Sequence, residues 1–292
     1  MHVTDLIPFI DAHHHLWDLD RFSPSWLEQK DGDDDALISD YAPIRQPYLI
    51  NDLLADFAGS NVVKSVHIQT GYSNLDPVEE TAWLQGIADA HGYPHGIIAH
   101  TDLSSESVTK DLEQHTQYAN MRGIRNLVQG EDLLAPTFLR GLAALNESNL
   151  IYDLSTTWEG MDGARRMADQ FPDLQIVLGH AGFPAERSDD YFAAWRNSMA
   201  VLAEAPNVSA KISGLGLADH NWTTDSIRPW VMGVIEAFGV ERSMFATNWP
   251  VDKLFSSYQA LVDAYRSITA DFSQSEQNAL LWQNAERYYR LA

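Results

Sequence analysis

The chain has 292 residues, 45% of them hydrophobic, enough for one α/β barrel core or two ordinary domains; no Gly/Ser-rich or Pro-rich linker marks a split, so one domain over 1–292 is expected. Its 41 acidic and 19 basic residues give a formal charge of -22, which repels nucleic acid and anionic membrane surfaces, so neither is expected as a partner. With no cysteine, disulfides, thiolate metal sites and a cysteine nucleophile are excluded; with no secretory-type start and no apolar run near the ~18 residues of a membrane span, a cytoplasmic protein is expected.

Phe9 and Ile10 read as the end of a short strand that runs into Asp11-Ala12-His13-His14-His15. Side chains alternate along a strand, so His13 and His15 point one way and His14 the other, and two imidazoles converge. Such a pair suits a metal or a proton-transfer site, although a polar cluster at a strand end leaves the same trace. Residues 18–40 form a polar inserted loop whose Asp33-Asp34-Asp35 run lacks the alternating pattern of a calcium loop and reads as a solvated face, while its aromatics help cover a pocket.

A helix is expected next over 51–59, then a β-branched strand over 62–69. Asp76, Pro77 and Glu79 start the next helix, which runs to about residue 90. Strands at 95–101, 121–127, 150–155, 174–180, 208–212 and 243–248 then alternate with helices at 105–118, 136–147, 159–171, 189–204, 225–238 and from 255. Eight strands each followed by a helix, with an extra C-terminal helix over 274–289, predict a single-domain (β/α)8 TIM barrel of the α/β class. A doubly wound open sheet is the alternative, weakened by the absence of a Gly-rich phosphate loop after the first strand.

Working residues of such barrels stand at the carboxyl ends of the strands. Those ends carry, in order, His13 and His15, His67 and Gln69, His100, Arg125 and Asn126, Asp153 and Ser155, His180, Lys211 and Ser213, and Asn248 with Asp252. His67, His100 and Ser213 read as structural groups. His13, His15 and His180 read as functional, since they are polar groups ending otherwise apolar strands. Asp153 fits either a buried ion pair with Arg125 or a substrate contact.

Asp11-x-His13-x-His15, Leu178-Gly179-His180-Ala181-Gly182, Lys211-Ile212-Ser213-Gly214-Leu215 and the stretch from Met244 to Asp252 resemble the amidohydrolase superfamily, and most of all its branch of sugar-lactone and pyrone-dicarboxylate lactonases. The segment from Asn284 to Leu291 is similar to that family's closing helix. The resemblance implies that His13, His15 and His180 line a reaction centre where many members hold one divalent ion, Zn or Mn, while activity without metal occurs in the lactonase branch. It also implies an aspartate at the end of the eighth strand that takes a proton from water. Asn248 stands there instead, and an amide cannot accept that proton. The carboxylated lysine of the fourth strand has no counterpart near Arg125.

Opening a lactone needs an activated water, a donor for the developing oxyanion and an acid for the leaving alkoxide. A Zn²⁺ on the histidines would lower its water's pKa to about 7. Without metal, His180 or Asp252 is the candidate base, with Asn248 donating to the oxyanion; Asp252 equally fits a salt bridge or a helix cap. Arg125 and Lys211 are candidate clamps for a substrate carboxylate or hydroxyl. Trp158, Trp222 and Trp249 are candidate walls, or core. The expectation is a lactone hydrolase with a small-molecule substrate and a homodimer as the one protein assembly considered. The alternatives are a metal-dependent decarboxylase of an aromatic or unsaturated acid and a ligand-binding barrel without catalysis.

Overall fold

Eight short strands run parallel in chain order: β1 (Phe9–His14), β2 (Val62–Ile68), β3 (Gly96–Ala99), β4 (Met121–Ile124), β5 (Ile151–Leu154), β6 (Ile176–Leu178), β7 (Val208–Ile212) and β8 (Ser243–Phe245). They belong to a computed structural model that describes residues 6–22, 24–28, 40–72 and 76–291. The Asp33-Asp34-Asp35 run and the first five residues lie outside these. Each strand is followed by a helix: α1 (Ile50–Asp56), α2 (Pro77–His91), α3 (Val108–His115), α4 (Pro136–Glu147), α5 (Met161–Gln170), α6 (Asp189–Ala203), α7 (Thr224–Phe238) and α8 (Tyr258–Ile268). The architecture is the expected (β/α)8 barrel.

Strands covered on both faces must be apolar on both, and the alternation sorts their side chains into two layers. Ile10, Val66, Ile68, Ile98, Ile151, Val177 and Met244 fill the barrel interior. Phe9, Ile97, Ile124, Leu154, Leu178, Ile212 and Phe245 face the helices. Polar caps start the helices where the sequence offers them: Asp76 accepts from the Val78 N–H, and Thr223 and Ser226 cap α7 reciprocally.

The seam between β8 and β1 closes beyond the end of β8. His14 bridges Trp249 in parallel register, the Asn248 N–H donates to the His13 carbonyl at 2.8 Å and the His15 N–H to the Trp249 carbonyl at 2.7 Å. The stretch that closes the barrel is thus the one that carries the expected site. At the other end, the closing segment is not the continuous α-helix expected. It runs α9 (Gln274–Asn278), a five-residue π turn (Ala279–Gln283) and α10 (Asn284–Tyr288), and sends Ala285, Tyr289 and Leu291 into the interior layer. Among the described residues no helix is long and apolar enough to cross a membrane.

Candidate active site

Regular alternation would put Asp11, His13 and His15 on one face, but β1 departs from it. From Asp11–Ser65 to His14–His67 the pairing advances three residues on β1 and two on β2, a β-bulge that re-aims the side chains beyond it. Ile10 and Ala12 point inward, and so does His13, which meets Lys211. Asp11 is left on the outer face, where it accepts from Thr247 Oγ1 (2.6 Å), the Thr247 N–H (3.0 Å), Tyr258 Oη (3.0 Å) and the His13 N–H (3.2 Å). It ties β1 to β8 from outside the barrel. His14 joins it there, bonded to Ser65 Oγ at 2.9 Å and edge-on to His67.

Inside the barrel, the two histidines end a buried row. Lys211 Nζ donates to Asp153 Oδ2 at 2.6 Å and lies 3.0 Å from His13 Nδ1. His13 Nε2 and His15 Nε2 are 3.1 Å apart, and His15 Nδ1 donates to the Ile68 carbonyl at 2.8 Å. Asp153 and Lys211 are fully buried and paired with each other, so neither is placed to clamp a substrate, although Asp153 Oδ1 has no partner among the described residues. This corrects the expectation for both, and the partner of Asp153 is Lys211 rather than Arg125.

β6 and β8 end in strained backbone. His180, Ala181, Phe183 and Asn248 all have positive φ, between 49° and 57°. Non-glycine residues hold such angles at a cost of roughly 1 kcal/mol or more each. The turn after β6 sets the His180 ring 4.2 Å from that of His13, with His180 Nδ1 2.9 Å from Ser213 Oγ. Gly214 is required beside it: its φ is +65°, and a Cβ there would stand 2.9 Å from His180 Nδ1. Asn248 Nδ2 donates to Asp252 Oδ2 at 2.7 Å.

The cleft at this end encloses about 270 Å³ between His15, Gln69, Arg125, His180 and Asn248, with Trp26, Leu127, Phe183, Leu217 and Val251 as walls. Trp26 comes from the inserted loop, as expected of its aromatics. Asp252 is not at the cleft; it lies buried behind Asn248 and under Gly216 and does not fold back over the site. Trp249 is also a correction. It is buried, donates Nε1 to Asp56 Oδ2 at 2.7 Å and packs on Tyr258. Trp222 packs beside Gly216 and Trp158 against Tyr191, both away from the cleft. Ser213, read from sequence as structural, is the residue that holds His180. The wall residues Leu127, Phe183, Leu217 and Val251 carried no signal, because apolar loop residues look like core.

Burial governs the electrostatics. It lowers the pKa of His13, His15 and His180 well below 6.5, aided by Lys211 at His13 and His180 and by Arg125 at all three, so these rings are neutral at pH 7. Burial pushes Asp252 up to about 7, partly offset by the Asn248 bond. Arg125 is lowered by burial and supported by the charges of Asp153 and Glu80; among the described residues its side chain makes one hydrogen bond, a 3.4 Å contact to the Gln69 carbonyl, and its buried Nε has no partner.

The residues fit a three-histidine metal centre only in part. The 3.1 Å between His13 Nε2 and His15 Nε2 is close to the roughly 3.3 Å of two nitrogens on one tetrahedral ion. A ligating histidine gives its outer N–H to an acceptor. His15 does so at Ile68 and His180 can do so at Ser213, but the outer nitrogen of His13 faces the Lys211 ammonium, a donor. Among the described residues no group of three or more histidine, aspartate or glutamate side chains stands in ligating geometry. The expected set of His13, His15 and His180 is therefore not assembled as a metal cage.

Known proteins agree with the barrel. An uncharacterized protein of Sinorhizobium fredii is 44% identical over 98% of this chain and 99% of its own length. An L-fucono-1,5-lactonase of Burkholderia ambifaria is 28% identical over 86% of this chain and 84% of its own. A zinc-bound amidohydrolase crystal structure from Burkholderia multivorans superposes with a TM-score of 0.83 at 24% identity, covering 98% of this chain and 100% of that one. A manganese-bound 5-carboxyvanillate decarboxylase from Novosphingobium aromaticivorans shares the fold with a TM-score of 0.66 at 15% identity, over 97% of this chain and 96% of that one. The amidohydrolase family model matches residues 10–291, and the chain belongs to that family.

Proposed function

We propose that this protein is a hydrolase that opens a single-ring lactone of a small sugar acid or carboxylic acid. The observation that carries the reading is His180: its ring is neutral and lies at a cleft it shares with Arg125 and Asn248, and with its Nδ1–H given to Ser213 Oγ, 2.9 Å away, Nε2 presents a lone pair there. His180 takes a proton from water as the water oxygen bonds to the lactone carbonyl carbon. The carbonyl oxygen becomes an oxyanion, met by the amide N–H of Asn248 that Asp252 does not use. The ring C–O bond then breaks, and the proton on His180 passes to the leaving alkoxide. Asn248 thereby serves as donor, which explains how an amide stands where the family's aspartate is expected.

Arg125 brings donors with little to bind inside the protein, and its planar fork suits a carboxylate or a pair of hydroxyls on the substrate. The lactonase-named relative supports this substrate class. Zinc and manganese in structures of the same fold favour a second reading in which a divalent ion joins the site, where it would polarise the carbonyl. Of the three histidines, only His15 and His180 have an outer nitrogen on a group able to accept, which would leave Nε2 to hold the ion.

The test is a proton-release assay over a panel of aldonolactones and pyrone lactones, before and after chelation, with metal content measured on the same sample. Turnover that survives chelation is expected. Loss on chelation with recovery on adding Zn or Mn would favour the second reading. Carbon dioxide release from aromatic acids without lactone turnover would replace hydrolysis by decarboxylation, and ligand binding with no turnover of any kind would make the chain a binding barrel.

A further inference from the structure

One buried acid lies outside the cleft and has no part in the chemistry above. Glu80 sits in the buried stripe of α2 with Leu84 and Ala88. A carboxyl among apolar side chains is costly unless it is bonded. Its Oε1 accepts from the Thr70 N–H at 3.0 Å.

Thr70 belongs to the turn Gln69-Thr70-Gly71 that follows β2, and all three residues line the cleft. The peptide unit between Gln69 and Thr70 has a partner on each side. Its N–H goes to Glu80, and its carbonyl, that of Gln69, is the acceptor that Arg125 Nη2 reaches at 3.4 Å. In a planar trans peptide the N–H and the carbonyl point in opposite directions, so fixing one aims the other. The following carbonyl, that of Thr70, accepts from Trp26 Nε1 at 2.6 Å, and Thr70 Oγ1 donates to the Leu16 carbonyl at 3.2 Å. The turn then ends at Gly71, whose φ of +85° is open to glycine at no steric cost. Two cleft residues from different parts of the chain thus meet on one turn: Arg125 from the end of β4 and Trp26 from the inserted loop.

We propose that Glu80 is a positioning residue of the cleft: from α2 it fixes the Gln69–Thr70 peptide, and through that peptide it sets Arg125 and Trp26 in place for the substrate. It is not among the cleft-lining side chains and acts only through the turn. The acceptor is what the role requires, because the Thr70 N–H needs an oxygen within reach and not a charge.

The placement of Trp26 can be read without any substrate; only the kinetic readout rests on the lactonase reading. The experiment is hydrogen exchange followed by ¹H–¹⁵N correlation NMR on the full-length protein, with the Trp26 indole assigned by loss of its signal in Trp26→Phe. In the wild type the Thr70 amide and Trp26 Nε1–H should both be protected. Glu80→Gln keeps an oxygen in reach of Thr70, so Trp26 exchange and the KM for the best lactone of the panel should stay within about twofold of wild type. Glu80→Met occupies similar space without an acceptor. There Trp26 Nε1–H should exchange about 10-fold faster or more, and KM should rise about 5- to 10-fold at near-constant kcat, the range that one lost hydrogen bond converts to. Folded Glu80→Met protein with wild-type Trp26 exchange would overturn the proposal. So would Glu80→Gln protein that has lost the protection, or a wild-type Thr70 amide that exchanges freely, and these two results need no Glu80→Met protein. If the exchange results hold and no lactone is turned over, the hydrolase reading fails and the role of Glu80 stands.

Discussion

The two ends of the barrel treat polar atoms differently. At the floor many are tied down, since Lys64 binds Glu286 and a carbonyl, Arg122 Nε donates to the Arg290 carbonyl, and Arg290 binds both Asn149 Oδ1 and its carbonyl, while Ser60 Oγ, His95 Nδ1 and Arg266 Nε are scattered, buried and without a partner among the described residues. At the mouth the leftover atoms converge on one cleft, since Arg125 and Gln69 both line it and Arg125 Nε and Gln69 Oε1 are buried without a partner among the described residues. A buried polar atom without a bond costs about 1–3 kcal/mol, so such atoms are uncommon in native proteins unless something else binds them. The backbone differs in the same sense. At the floor the positive-φ non-glycine positions are Asn61, Asn149 and Arg290, two of them the residue type that tolerates the angle, whereas at the mouth they are His180, Ala181, Phe183 and Asn248, three of which are not. Under the proposed function, a ligand rather than the fold completes the mouth.

Breaking the mouth should therefore cost function and leave the fold, most of all at His180. His180→Ala should lower kcat by about 10²- to 10⁴-fold, the usual worth of a general base, while circular-dichroism melting still shows a cooperative transition. If His180 is the base, its neutral form is the working one, and since its pKa is held well below 6.5 by burial, kcat/KM should stay level as pH falls through 6.5 and drop only below it. An acid limb centred near 6.5 would assign the base to an ordinary exposed histidine.

Asn248→Ala should come next, with a loss of about 10²-fold if it donates to the oxyanion. Asp252→Asn, which acts only behind Asn248, should lose roughly tenfold or less. The opposite order in side-by-side kinetics would make Asp252 the base. Arg125→Lys should raise KM for an anionic lactone by about 5- to 20-fold through loss of the forked contact while kcat changes little; an unchanged KM would leave Arg125 a structural residue. The floor sharpens the contrast. Glu286→Ala breaks a partly exposed ion pair with Lys64 and should cost under about 1 kcal/mol in chemical denaturation, with no change in kcat or KM.

Much of this was legible in the chain alone. The β/α alternation arises from local preference: β-branched runs make strands, Asp76-Pro77 starts a helix, and eight repeats of that pattern close a barrel. His13, His15, His180, Arg125 and Asn248 stand out at strand ends because a polar group ending a buried strand violates local apolar patterning, and the violation is visible in one dimension. What the sequence left undecided is which polar groups meet. Asp153 pairs with Lys211 instead of Arg125, Asp252 stands behind Asn248, and Trp249 turns into the core. Those outcomes depend on a bulge in β1, on positive-φ turns after β6 and β8, and on a tyrosine returning from residue 289. The strands and their order come from neighbours in the chain. The partners of the buried charges come from neighbours in space, because a charge enclosed in the barrel must be paired, and only the closed barrel decides what lies within 3 Å of it.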